Sequence, residues 1–225
     1  MNNVTDRLLA MDPTLQRHNE GFWDRAFDPS LPGFSSFNDA GIECETGEFM
    51  YAMVRLLKPD NILETGTHFG VGASYMGLAA LDNGKGVVTT IEFIPEIHRV
   101  AVDRFARLGL NNHVQSIFGD VGGFTPSTNY QLVLLDTEPI TRFAELVKFY
   151  DRLDPGGFMF IHDTPRSLCQ GNVNTDHPDI PSWPFGNIPP FMRQLVIEGH
   201  LRPFHFPTPR GLVGFYKVHP DDVKW

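Results

Sequence analysis

Two cysteines in 225 residues, Cys44 and Cys169, supply no disulfide framework and no metal-ligand spacing. Basic residues are also scarce: 18 Lys and Arg stand against 27 Asp and Glu, a formal net charge of −9. A chain this acidic is a poor candidate for gripping a phosphate backbone or an anionic membrane surface, because both attractions rest on Lys and Arg. No apolar run approaches the roughly 20 residues of a bilayer span. The start, Met1-Asn2-Asn3-Val4-Thr5-Asp6, lacks the basic and apolar regions of a signal peptide, so the chain is expected in the cytoplasm. Trp and Tyr are few, at 3 and 5, whereas Phe reaches 19. With 41% apolar residues the chain has material for a sizeable core. The composition leans toward a soluble protein acting on a small molecule, with neither nucleic acid nor membrane as partner.

Patterning begins near residue 45. Residues 1–44 hold a short helical stretch at Val4–Met11 and then an irregular run, an N-terminal cap. Glu45–Leu57 places Phe49, Met53, Leu56 and Leu57 at helical spacing, and Pro59 ends it. Asn61–Glu64, Gly86–Ile91, Val114–Phe118, Gln131–Leu135 and Phe158–Ile161 read as buried strands. Helices alternate with them at Ala73–Leu81, Pro95–Leu108 and Ile140–Leu153. Such alternation implies right-handed crossovers and a parallel sheet. Arg202–Phe206 and Leu212–Val218 add a C-terminal hairpin. The expectation is one α/β domain over 1–225: a doubly wound, seven-stranded sheet, mostly parallel, with an antiparallel C-terminal hairpin strand. Residues 164–190 carry six prolines and no period; with Trp183, Phe185 and nearby Phe191 they suit a lid.

In open α/β sheets ligands bind at the carboxyl ends of the strands. Each of the five strand ends here carries an acid: Glu64, Glu92, Asp120, Asp136 (with Glu138) and Asp163. The first loop is glycine-rich, with Gly66, Gly70 and Gly72, but has neither G-x-G-x-x-G spacing nor the G-K-[ST] ending of a phosphate loop. An acid just before it would repel a pyrophosphate and favour a cationic ligand.

The run Glu64-x-Gly66-x-x-x-Gly70, followed by an acid at the next strand end, resembles the class I S-adenosyl-methionine (SAM)-dependent methyltransferases. These are Rossmann-like, and the resemblance covers roughly 45–218. The stretch LETGTHFGVGAS and the terminal hairpin are similar in particular to small-molecule O-methyltransferases of the catechol, caffeoyl-CoA and macrolide-sugar kinds. The resemblance implies a small-molecule hydroxyl as acceptor, SAM as cofactor and a homodimer. It implies that Gly66 and Gly70 admit the cofactor's amino-acid part, with Thr67 and Ser74 beside them and Glu64 near the ammonium. Glu92 would take the ribose hydroxyls, Asp120 the adenine amino group, and Phe93 or Val121 the ring, with Asp136 also toward the cofactor. A merely solvated strand-end acid is the alternative for Glu92, and a turn cap for Asp120.

That family holds Mg²⁺ with an acid and an Asp-Asn pair. The matching positions are Asp136, Asp163 and Thr164, with Glu138 as a further carboxylate; a hydroxyl replaces the amide. The family's lysine base is absent: Pro139 stands in its place. Histidine has a suitable pKa for the task, so His162, beside Asp163, and His68, inside the loop, are the candidate bases, with Asp136 as the third catalytic candidate. The competing readings are a non-catalytic cofactor-binding protein, an N-methyltransferase and a nucleotide-dependent oxidoreductase.

Overall fold

The computed structural model describes residues 3–18, 35–37, 41–164, 190–206 and 210–222. The expected lid, 164–190, lies almost entirely outside them, as does most of the irregular run that follows the first helix. The described chain falls into two compact units, with the change between Thr125 and Pro126.

The first unit holds α1 (Val4–Met11), a short antiparallel pair β1 (Arg17–His18) and β2 (Ser36–Phe37), α2 (Cys44–Leu57), β3 (Asn61–Thr65), α3 (Val71–Asn83), β4 (Val87–Glu92), α4 (Pro95–Arg107) and β5 (Val114–Phe118). The second holds β6 (Tyr130–Leu135), α5 (Pro139–Tyr150), β7 (Leu153–His162), α6 (Pro190–Ile197), β8 (Leu201–Phe206) and β9 (Leu212–Lys217). The seven longer strands run in the order β5-β4-β3-β6-β7-β9-β8. Pairs β3/β4, β4/β5 and β6/β7 are parallel; β7/β9 and β8/β9 are antiparallel. This is the expected mixed, mostly parallel sheet with flanking helices.

In the first unit α3 is buried on every side from Val71 to Ala80, since it packs against α2 as well as β4 and β5. Close approach is possible because Gly47 leaves room: a Cβ there would lie 2.3 Å from the Tyr75 ring. That contact also corrects the expected apolar face of α2. The buried stripe is Cys44, Gly47, Met50 and Val54, whereas Leu56 is 77% exposed. The helix turns the residues that fit Tyr75 inward, not those richest in carbon.

In the second unit β7 is longer than its apolar core Phe158–Ile161, because Asp154-Pro155-Gly156-Gly157 forms a bulge between the pairs Tyr130↔Leu153 and Leu132↔Phe158. The hairpin folds so that β9 lies inside and β8 takes the edge, where Pro203 needs no ladder partner on its outer side. No helix among the described residues is long and apolar enough to cross a membrane.

Candidate functional site

The first unit presents the glycine loop between β3 and α3. Gly66 (φ 77°) and Gly70 (φ 84°) occupy the left-handed region, and Gly70 caps the start of α3. The Gly66 and Thr67 amides both donate to the Ile91 carbonyl, at 3.2 and 3.0 Å, and Gly70 N–H donates to Thr67 O at 2.8 Å. Ser74 closes the first turn, its hydroxyl donating to Gly70 O at 2.6 Å.

Beneath the loop lies a polar relay. Thr90 Oγ1 donates to Glu64 Oε2 at 2.5 Å, and its hydroxyl pairs with Thr67 Oγ1 at 2.6 Å. Thr90's single hydrogen is spent on Glu64, so Thr67 donates to Thr90. Glu64 is 2% exposed and lies under the first turn of α3, where the helix dipole favours a negative charge.

Glu92 is also buried. Its Oε2 accepts His68 N–H at 2.8 Å, and its Oε1 accepts the amides of Phe93 and Ile94 at 3.0 and 2.9 Å. Three of about four lone-pair sites are thus filled by backbone. Glu92 ties the loop, the end of β4 and the start of α4 together. Next to it Phe93 is 63% exposed. Asp120 is exposed; its carbonyl accepts Gly123 and Phe124 N–H at 3.1 Å, so it does build the turn after β5. Val121 is nearly buried. His68 holds φ 47°, uncommon for a non-glycine residue, and its Nδ1 is enclosed without a hydrogen-bond partner among the described residues.

The second unit gathers the ends of β6 and β7. His162 is fully buried, and its Nδ1 meets Asp136 Oδ1 at 2.8 Å; because a carboxylate only accepts, Nδ1 carries the hydrogen. Asp163 Oδ1 is 3.6 Å from the same nitrogen. Asp136, His162 and Asp163 thus bring three ligand-type atoms within 4.8 Å of one another. Thr164, next along the chain, is buried, and its hydroxyl donates to Ile161 O at 3.3 Å. Glu138 is exposed at the N-cap of α5, where Pro139 opens the helix.

Two arginines that the sequence reading did not single out decide the character of this cluster. Arg142, on α5, sets Nη2 3.0 Å from Asp163 Oδ2 and 3.4 Å from Asp136 Oδ1, and Nη1 on the His162 carbonyl. Arg210 sets Nε 2.6 Å from Asp163 Oδ1. Burial raises the Asp163 pKa, but the charges of His162, Arg210 and Arg142 outweigh it and hold the carboxyl far below its ordinary value. Both Asp163 oxygens already bear a guanidinium. A Mg²⁺ at about 2 Å would have to share these oxygens with two guanidinium charges held against them. The donor set as arranged does not fit Mg²⁺.

Residues 63–164 match a methyltransferase domain family. A provisionally named O-methyltransferase of Mycobacterium avium is 30% identical over 120 residues, 52% of this chain and 53% of the relative. A protein-L-isoaspartate O-methyltransferase of Ignicoccus hospitalis is 35% identical over 114 residues, 50% of this chain and 51% of the relative. The chain thus spans about half the length of these curated relatives. Among solved structures, the O-methyltransferase TomG of Streptomyces achromogenes, in complex with SAM, superposes with a TM-score of 0.64 at 16% identity, covering 80% of this chain and 83% of that one. The likeness at this identity is one of fold, and it is the Rossmann-like methyltransferase fold that the glycine loop and strand-end acids implied.

Proposed function

We propose that the chain is a SAM-dependent methyltransferase that methylates a hydroxyl group of a small molecule. The observation that carries this reading is the acid-lined glycine loop: a buried Glu64, a threonine relay and two left-handed glycines, all inside or beside the stretch that matches a methyltransferase domain. The chemistry suits a sulfonium cofactor with an ammonium group and disfavours a dinucleotide, whose phosphates Glu64 would repel.

In this reading Gly66, Thr67, Gly70 and Ser74 form the floor for the amino-acid part and Glu64 supplies the negative field for its ammonium. Glu92 takes one ribose hydroxyl, and Phe93 and Asp120 receive the adenine. The acceptor hydroxyl loses its proton to the Asp136–His162 pair: Asp136 is the partly exposed member, and His162 stands behind it and fixes its orientation. His68 lies in the loop beside the reactive methyl. Asp136 belongs to the acceptor chemistry here and is not needed as a cofactor ligand.

Methyl transfer is an in-line displacement that neutralises a charge, so alignment and exclusion of water do most of the work. The Arg142 and Arg210 ion pairs support a reaction without a divalent ion. Isothermal titration with S-adenosyl-homocysteine (SAH) tests the function: micromolar binding is expected, and no binding at millimolar ligand would refute it. Turnover on a panel of phenols, catechols and sugars should be unchanged by EDTA; a strict Mg²⁺ requirement would overturn the metal-free reading. A single domain over 1–225, a homodimer and a cytoplasmic location complete the proposal. The single domain is supported by the strand and helix alternation along the sequence, the dimer by the sequence resemblance, and the absence of nucleic acid and membrane partners by the −9 charge.

A further inference from the structure

The glycine loop has a second set of contacts, on the side of α4. The buried residues of α4 are Ala101, Arg104 and Phe105, one stripe at i, i+3, i+4 spacing. All three face the loop. A Cβ on Gly70 would lie 2.8 Å from the Phe105 ring and 3.1 Å from Ala101 Cβ. Arg104 Nη1 donates to the Phe69 carbonyl at 2.5 Å.

Arg104 is 3% exposed, and a buried guanidinium needs a counter-charge. Asp12 provides it, from the C-terminal cap of α1: Arg104 Nε donates to Asp12 Oδ2 at 2.7 Å. Asp12 is fully buried. It also accepts Arg107 Nε and Nη2 at 3.2 Å, and the Thr14 amide and hydroxyl at 3.1 and 2.7 Å. The other end of α1 is fixed too: Thr5 Oγ1 donates to Glu48 Oε1 at 2.5 Å and lies 2.7 Å from the Tyr75 hydroxyl. An element that the matched domain, 63–164, does not include therefore reaches into the loop through one fully desolvated ion pair.

We propose that Arg104 is a positioning residue for the cofactor loop and that Asp12 makes α1 its anchor, so that cofactor affinity is coupled to the seating of α1. The guanidinium fork does two things at once. It fixes the Phe69 carbonyl, which sets the peptide between the two left-handed residues His68 and Gly70, and it transmits the position of α1 to that peptide. The inference rests on the reading of residues 64–70 as the cofactor loop.

Arg104→Lys retains the charge opposite Asp12 but cannot hold Asp12 and Phe69 O together. SAH should bind this variant on the order of tenfold more weakly, the loss expected for one charge-assisted hydrogen bond. KM for SAM should rise in step while kcat stays within about twofold, since the loop holds cofactor before and during transfer. Arg107→Gln, which removes one of Asp12's partners but leaves Arg104 on the Phe69 carbonyl, should weaken SAH binding less than Arg104→Lys does.

Hydrogen exchange on the unaltered protein gives an independent readout, because coupling is reciprocal. SAH should slow exchange at the Asp12 and Thr14 amides together with those of residues 66–70. An Arg104→Lys protein that binds SAH normally, or SAH protection confined to the loop, overturns the proposal while the methyltransferase reading stands. Failure of the unaltered protein to bind SAH removes that reading and this inference with it.

Discussion

A methyl group added at residue 72 would lie 2.3 Å from Glu64 Oε1. The glycine is there because a buried carboxylate occupies the space over the first turn of α3. Gly72→Ala should therefore push Glu64 off its seat, destabilise the fold by about 1–3 kcal/mol as overpacking does and weaken SAH binding. Chemical denaturation and titration calorimetry measure the two effects; an alanine variant with unchanged SAH affinity would detach Glu64 from the cofactor. Arg142 offers the matching test in the second unit. Arg142→Met leaves Asp163 with Arg210 but strips Asp136 and the His162 carbonyl of a cation. Those carboxylates are partly exposed, which discounts the penalty, and a loss of about 1–3 kcal/mol is expected. If a divalent ion instead belongs here, this variant should bind Mg²⁺ more tightly than its parent, and thermal shift with and without Mg²⁺ distinguishes the two. The sequence allowed Glu64, Glu92 and the glycines to be singled out because one short stretch carries Glu64 and the glycines and Glu92 ends the next strand. It gave no hint of Arg142 and Arg210, which meet Asp163 only through tertiary folding.

At the scale of elements, the hairpin shows how phenylalanine replaces a missing side chain. Gly214 in β9 stands between Phe160 of β7 and Phe204 of β8. The two rings meet across it at 5.7 Å, edge to face, and a Cβ at 214 would lie 2.0 Å from the Phe204 ring. Phe158 joins the same cluster at 6.2 Å from Phe204. Gly214→Ala should force the ring aside at a cost of about 1–3 kcal/mol, lowering Tm, while SAH affinity stays unchanged because the loop contacts lie elsewhere. Reduced affinity in this variant would mean that the hairpin reaches the cofactor. Strand identity here was legible, since β-branched and aromatic runs mark strands whatever their neighbours. The face of α2 was not: Phe49, Met53 and Leu56 have the better apolar spacing, yet Gly47 opposite Tyr75 determines which side is buried. Packing between two helices is a property of both sequences, and a pattern on one cannot report it.

For the whole molecule, the acids that make the charge −9 are not equivalent, and pH separates them. Asp12 has its carboxyl lowered from 3.8 to about 2: burial opposes this, but bonds from Thr14, Arg107 and Arg104 prevail. Asp163 is lowered as well. A group whose pKa is depressed by folding contributes stability that is complete above its unfolded pKa and disappears as pH falls through the folded one. For Asp12 that window runs from about pH 4 down to about 2, and its contribution is roughly 2 kcal/mol. The opposite sign governs Cys44, which burial pushes up from 9.0 to about 12, and Tyr75, raised by burial and the charge of Cys44. Their contribution is complete below about pH 9 and is lost as pH climbs toward 12. Between these limits the net negative charge shrinks as pH drops toward the pI of 5.4, and the repulsion it carries eases. Thermal melts across pH 2–11 should therefore show Tm rising slightly from pH 7 to about 5.5, then falling steeply below pH 4, with a separate decline above pH 9. Asp12→Asn removes the carboxylate and leaves two arginines facing an amide, so it should lower Tm at pH 7 and flatten the acid limb. A variant that keeps the parent's steep acid limb would assign acid unfolding to the second unit's Asp163, with its two arginines, instead of to the pair that seats α1.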